Sequence, residues 1–536
     1  MAGTRSALKK KSARAKTRTQ GVTSNPSRAY CERAIRLSEQ GQSADAEAHL
    51  REALRFWPDD VDVCNELGLT IWRQGRAAEA EQIFRRALRI KPDDFRLLAN
   101  VGVTLYDQDK FDEAGEFCRR AIQYQPDAFD AHMNMGVMLS EQGKFDEATW
   151  WLDRAHQLKP DAPDISLNLG MNLFRQGKTD EAIGKYEEGV RLRPDFPRLR
   201  RNLAYALLCR GDYERGWQEH EWRLKCDDYP GLRVNRPSWN GESFQGKTIL
   251  LHHEQGFGDT LQLIRFAPLV RARGRDILVW CPQKLLRLVA RCEGVDLAFD
   301  GSCFSPESDL HAPLFSLPAL LETTLSTIPS RVPYLVNDPV LVDHWRLELA
   351  RVIGTESGTG AASPSQSSSG QPARPFLIGI AWQGNPTHCT DRWRSFPLAQ
   401  LAPLAGLPGV RLINLQADHG LDQLAPLAGR LPVTELNGRR VRDFAETAAI
   451  MSHLDLVITP DTAVAHLAGG LGVPVWVALC SVGEWRWLDG RDDTPWYPTM
   501  RLFRQTRLGD WDGVFRRMTA ALIERMKEAF HGRHAR

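Results

Sequence analysis

Leu454–Leu479 reads LDLVITPDTAVAHLAGGLGVPVWVAL. Leu456 to Thr459 and Val475 to Leu479 are apolar runs of strand length, and the segment between them is helical in character with a glycine stop at Gly472. Two such runs around one helix predict a parallel βαβ unit covered on both faces. The Pro460-Asp461 turn then falls at the carboxyl end of a strand, where open α/β sheets bind their ligands. Asp461 and Thr462 are residue types that cap helices, and the unpaired N–H groups of a helix start can hold phosphate. His466 follows one turn later, on or near the Thr462 face. Two uses of this turn stand side by side: an ordinary cap with a packed histidine, or a cradle for a phosphate-bearing ligand.

Outward from this unit the β/α alternation continues in both directions. Upstream, Phe376 to Trp382 and Arg411 to Leu415 read as strands, with a polar loop (Gln383 to Ser395) and a helix (Leu398 to Leu404) between them, and a helix over Asp443 to Ser452 follows. Downstream come a strand at Met500 to Phe503 and an amphipathic helix over Trp511 to Met526. An earlier set has strands at Thr248 to His252, Ile277 to Cys281 and Val295 to Phe299, with helices at Thr260 to Arg271 and Gln283 to Arg291. This order predicts two Rossmann-like α/β halves with parallel sheets, residues 240–350 and 375–528, then a short tail, 529–536. Between the halves, residues 354–374 are rich in Gly, Ser and Pro and read as a flexible linker. The glycine loop Glu254-Gln-Gly-Phe-Gly-Asp259 lacks GxGxxG spacing, which argues against a dinucleotide, and no cofactor is expected. Asp510-Trp-Asp512 opens the last helix and reads as a cap, so no metal is expected either.

Before residue 240 the periodicity is different. Prolines fall at Pro58, Pro92, Pro126, Pro160 and Pro194, each 34 residues apart. Gly68, Gly102, Gly136 and Gly170 keep that step, as do Ala46, Ala80, Ala114, Ala148 and Ala182. Small residues let paired helices approach, and each proline ends a unit because it cannot donate to the helical ladder. The pattern resembles the tetratricopeptide repeat. Five full repeats and a truncated sixth predict an α-solenoid over residues 27–223. Asn100, Asn134, Asn168 and Asn202 form a further column at the same step, with Glu32 and Glu66 in the first two repeats. Asparagine offers a donor and an acceptor, so such a ladder can hold the backbone of an extended peptide. The protein O-GlcNAc transferases have a similar ladder; the other reading is that each asparagine serves a local turn.

With 42% apolar residues and a net charge of +2, the chain is globular in composition and has no general affinity for nucleic acid. Ten cysteines without a CxxC pair indicate neither zinc nor a disulfide framework and fit a reducing, cytoplasmic setting. No apolar run reaches membrane-spanning length. Residues 1–26 hold seven Lys or Arg and no acid, which predicts a disordered basic tail; a peripheral contact with an anionic membrane surface is open to it.

Three stretches, Gly256 to Gly274 (GFGDTLQLIRFAPLVRARG), Ile380 to Leu398 (IAWQGNPTHCTDRWRSFPL) and Pro460 to Leu479, together resemble the family 9 glycosyltransferases, best known from the heptosyltransferases. With the solenoid, the whole is similar to bacterial tetratricopeptide–glycosyltransferase fusions. The resemblance implies an α-solenoid followed by a two-domain Rossmann-like (GT-B) fold with substrates meeting between the halves. It implies a nucleotide-sugar donor, a protein or peptide partner in the repeat groove, and transfer that is metal-independent and inverting. It makes Asp259 the general base, with Gly256 and Gly258 giving room for substrate. It places Arg394, with Arg392 beside it, in the basic loop position where the family often has lysine. Thr462 and Ala463 would meet the diphosphate through their N–H groups, Asp461 the sugar hydroxyls, and His466 and Asn385 the rest of the donor. The competing reading is a non-catalytic repeat scaffold that carries a degenerate transferase fold.

Overall fold

The computed structural model describes residues 26–229, 231, 234–302, 306–356, 374–388, 390–436 and 441–534. The basic tail and residues 357–373 of the linker lie outside them. The chain divides into two compact units between Leu203 and Ala204.

The first unit is a helical solenoid. Its antiparallel pairs run from Pro26–Glu39 with Ser43–Phe56 to Pro163–Arg175 with Thr179–Leu192. The repeated glycines explain the pairing. An ideal Cβ on Gly68, Gly102, Gly136 or Gly170 would lie 2.4, 2.7, 2.5 or 2.4 Å from a side-chain atom of Phe84, Cys118, Leu152 or Tyr186, respectively. Those four partners also step by 34 residues, so each repeat fills the hole over its glycine with one buried side chain from its own second helix.

This gives two substitutions of the same type with opposite expected signs. Gly170→Ala pushes a methyl into the Tyr186 ring, which is 1% exposed. Overpacking of about 1–3 kcal/mol then outweighs the roughly 1 kcal/mol of helix propensity gained. Gly184, inside the helix Thr179–Leu192, has nothing within 4 Å of its Cβ position. Gly184→Ala therefore stabilises, by up to about 1 kcal/mol. Chemical denaturation of both variants checks the pair; equal signs would refute the wedge.

A sixth pair, Pro197–Arg210 and the short Tyr213–His220, straddles the division between the units. From Ala204 onward it belongs to the second compact unit. The cause is aromatic packing. Trp217 sits edge-on to Trp485 at 5.1 Å, Trp485 to Trp496 at 5.7 Å, and the Trp496 indole donates to the Tyr213 hydroxyl at 2.9 Å.

Two parallel sheets build the rest of this unit. The first contains β1 (Phe244–His252), β2 (Gly274–Trp280), β3 (Leu297–Phe299) and β4 (Leu310–Pro313) in the order β3-β2-β1-β4. The second contains β5 (Phe376–Ile380), β6 (Val410–Asn414), β7 (Val433–Thr434), β8 (Leu456–Pro460), β9 (Val475–Leu479) and β10 (Met500–Arg504) in the order β10-β9-β8-β5-β6-β7. β8 and β9 are buried along their whole length, as expected of central strands covered on both faces. The helix Ala463–Leu471 joins them and ends at Gly472, whose φ of 73° is the left-handed cap conformation. The last helix runs from Trp511 to His534, so residues 529–534, expected as tail, are helical. Asp510 accepts the Gly513 N–H, the cap expected there.

Candidate active site

The start of the helix Ala463–Leu471 lies at the carboxyl end of β8. Thr462 holds the N-cap position with extended backbone (φ −141°, ψ 175°), yet its side chain makes no capping bond. Its hydroxyl pairs instead with Thr459 Oγ1 at 3.1 Å. Of the two uses open to this turn, the side-chain cap by Thr462 is not made, because the Thr459 partner takes the hydroxyl. Asp461, Thr462, Ala463 and Val464 are all partly exposed, so the helix opens toward solvent.

A second helix start meets it. In the glycine loop, Gly256 is the N-cap of the helix Phe257–Leu263 and Asp259 its third residue. Asp259 Oδ2 accepts the Gly256 N–H at 3.0 Å, the half of a capping box that a carboxylate can supply. Gly258 lets the two helices close up. An ideal Cβ there would be 2.8 Å from His466 Cδ2 and 3.6 Å from the Ala463 Cα. Gly258 thus makes room for His466. Asp461 ends close enough for its charge to reach Asp259.

His466 is 3% exposed. Its Nδ1 pairs with the Tyr497 hydroxyl at 2.8 Å and its ring stacks on Trp487 at 5.3 Å. Burial, then the charges of Arg486 and Arg265, hold it neutral, far below the usual histidine range. It is a packed histidine beside the two helix starts.

Arg486 dominates the charge here, and no motif or spacing in the chain had pointed to it. Its guanidinium lies over the Trp485 ring at 4.4 Å. Nε donates to Gln262 Oε1 at 2.9 Å, Nη1 to Glu484 Oε1 at 2.5 Å, and Nη2 to Asp259 Oδ1. Burial raises the affinity of both Asp259 and Glu484 for a proton, and Arg486 opposes it in each. Burial also works against the arginine's own charge, but Glu484, Asp259 and Asp461 outweigh it.

The basic loop is held by local bonds. Arg394 Nε donates to Asp391 Oδ1 at 3.2 Å, and Ser395 Oγ donates to the same oxygen at 2.9 Å. Gly384 N–H donates in turn to Ser395 Oγ at 2.9 Å. Arg392 is exposed and lies over Trp393 at 4.6 Å. Asn385 Oδ1 accepts from the N–H and hydroxyl of Thr387 at 3.0 and 2.9 Å, so it closes a turn of its own loop. The imidazole of His388, in the same loop, feels both Arg394 and Arg486.

In the solenoid the four ladder asparagines are not equivalent. Asn100 donates to Asn65 Oδ1 at 2.8 Å and Asn202 to the Arg198 carbonyl at 2.8 Å. Asn134 and Asn168 are buried, and their Oδ1 atoms have no hydrogen-bond partner among the described residues. Orphaned buried acceptors are rare, and each marks a place where a donor is missing.

Comparison with known proteins bears on both units. Tetratricopeptide-repeat models match residues 31–95, 105–169 and 167–216. Residues 392–480 match the model for glycosyltransferase family 9 (heptosyltransferase). The chain carries tetratricopeptide repeats and a family 9 glycosyltransferase domain. The family 9 match takes in Arg392, Arg394, Asp461, Thr462, Ala463, His466 and β8–β9; Asn385 and the Gly256–Asp259 loop lie before it. The chain is similar to Protein FlbA of Caulobacter vibrioides, 26% identical over 340 residues, which cover 59% of this chain and 53% of that protein. It therefore spans about half the length of the curated relative it matches. Among solved structures, TTC0263, a thermophilic tetratricopeptide-repeat protein of Thermus thermophilus, aligns with a TM-score of 0.32 and 20% identity, over 34% of this chain and 99% of that one. Pseudomonas aeruginosa pilF aligns with a TM-score of 0.32 and 20% identity, over 38% and 93%. No helix among the described residues is long and apolar enough to cross a membrane.

Proposed function

We propose that this chain transfers a sugar from a nucleoside-diphosphate donor to an acceptor, with Asp259 as general base and the helix start at Thr462 as the diphosphate cradle. The observation that carries the reading is the meeting of two helix starts: one without a side-chain cap, the other bearing a carboxylate. A leaving diphosphate gains negative charge as the glycosidic bond breaks, and fixed N–H donors at a helix end stabilise it. A helix end supplies about 0.3–2 kcal/mol, so full charges must add to it. Arg394 of the basic loop is the candidate, and it is tied to Asp391, a carboxylate that a diphosphate would compete with. The acceptor hydroxyl would approach Asp259, attack the anomeric carbon and give up its proton, with inversion and without a metal. The solenoid would hold an extended segment of a protein acceptor or partner, its backbone N–H groups meeting Asn134 and Asn168.

The test is thermal unfolding of the full chain with UDP, GDP or ADP at millimolar concentration. One of the three is expected to stabilise it by about 2.7 kcal/mol at a hundred times its dissociation constant. A screen of UDP-, GDP- and ADP-sugars for hydrolysis and transfer then names the donor. If none of the three nucleotides raises the unfolding temperature, the donor site is not live and the chain is a repeat scaffold.

A further inference from the structure

Arg486 belongs to the half of the second unit that holds β5 to β10, while two of the three side chains that its guanidinium bonds among the described residues, Gln262 and Asp259, come from the half that holds β1 to β4. Their separations of 224 and 227 residues make this a bond between the halves at the place where their helix starts meet. The guanidinium presents three separate edges, one each to Gln262, Glu484 and Asp259, and its face rests on Trp485. A planar fork can meet three such directions at once; an ammonium on a flexible stem cannot.

The consequence falls on Asp259. One of its oxygens is fixed by the Gly256 N–H of its own loop, the other by Arg486. Both are needed to define the carboxylate plane, because an aspartate in a first helical turn otherwise has several staggered rotamers. We propose that Arg486 is a positioning residue for Asp259, and that Gln262 and Glu484 serve to hold Arg486 in plane. This rests on the reading of Asp259 as the base. A base that must reach an acceptor hydroxyl works only within hydrogen-bond reach, and a misplacement of about 1 Å can cost 10²-fold in rate.

The charges around Asp259 give the proposal a readout that mere support of the fold would not move. Asp259 faces Arg486, Asp461 and, through Arg486, Glu484; the adjacent His466 is neutral and Arg265 lies beyond it. Burial and Asp461 favour its protonated form, and Arg486 favours the carboxylate. Removing Arg486 therefore raises the pH at which Asp259 gives up its proton. The acidic limb of the pH profile should move up by about one unit or more.

The experiment compares the full chain with Arg486→Lys, Arg486→Gln and the double variant Asp259→Asn/Arg486→Gln, using the UDP-, GDP- or ADP-sugar that the wild type turns over. Expected are a fall in kcat of about 10²-fold with KM changed little in both single variants, and an upward shift of the acidic limb in Arg486→Gln that is small or absent in Arg486→Lys, which keeps the charge. The double variant should be no slower than Asp259→Asn alone. Stabilisation by the matching nucleoside diphosphate reports whether the donor site survives in each variant. An unmoved acidic limb in Arg486→Gln, or a double variant slower in proportion to both single losses, would overturn the positioning role. Silence of the wild type toward every nucleotide and sugar would instead overturn the transferase reading, and this proposal with it.

Discussion

Asp259→Asn is expected to lower kcat/KM for sugar transfer by about 10²–10⁴-fold while leaving nucleoside-diphosphate binding intact. The two effects separate because the amide cannot take a proton but can still occupy the same space. Its oxygen can accept from either Arg486 or the Gly256 N–H, not from both as the carboxylate does. One hydrogen bond is lost, at a cost of about 1–3 kcal/mol, which the unit should survive. The charge balance also shifts in favour of the donor. Asp259, Asp461 and Glu484 surround the single guanidinium of Arg486. Neutralising one carboxylate removes a negative charge beside the Thr462 helix start, so diphosphate binding should hold or tighten. Initial rates of nucleotide release and thermal shifts with UDP, GDP or ADP read the two quantities separately. Unchanged turnover would remove Asp259 from the mechanism, and lost turnover together with lost nucleotide binding would place it in the donor site.

Arg223→Met is expected to destabilise the second unit by about 3–5 kcal/mol, more than any other substitution considered. Arg223 is 2% exposed, and Nε and Nη2 make a bidentate pair with Glu254 at 3.1 and 3.0 Å. The same guanidinium reaches Ser316 Oγ at 2.9 Å and Glu221 at 2.5 Å. Glu254 Oε2 also accepts the Phe315 N–H at 3.1 Å. This network joins the short helical turn after Tyr213–His220 to the loops that follow β1 and β4. Removing the cation strands a buried carboxylate, which costs more than the pair itself contributes. The double variant Arg223→Met/Glu254→Gln should therefore recover a large part of the loss. Urea unfolding of the two variants measures the difference. A loss below about 1 kcal/mol in the single variant would show that Glu254 finds water or another donor.

Much of this architecture could be read from residue order. The step of 34 depends on a few small residues at helix crossings, and each of the four glycines meets its buried partner in the structure. β9 spans Val475–Leu479 as expected, because an unbroken apolar run between a glycine and a polar loop has few other uses. Short edge elements were not legible. β4 is four residues with a histidine among them and β7 is two residues, too little for either periodicity to register. The helix Pro339–Glu356 also gave no clear signal, since its apolar residues are spread around it.

The candidate site was legible where it depends on local chain and illegible where it depends on distant partners. The turn at Asp461-Thr462 and the glycine loop before Asp259 announce helix starts. Which side chain would face which neighbour is not written in spacing. His466 could as well have pointed to solvent, and its burial follows from Trp487 and Tyr497, on a later loop. Arg486 is one of many arginines until the fold brings it to Gln262 and Asp259.

The truncated sixth repeat has an engineering consequence. Tyr213 and Trp217 close an aromatic core with Trp485 and Trp496, so this last repeat is part of the core of the second unit as much as it continues the repeat pattern. Anyone grafting a foreign repeat array onto the second unit should splice upstream of Ala204. A junction placed at residue 224, where the repeat pattern stops, would leave two tryptophans facing water and deliver a chimera that precipitates.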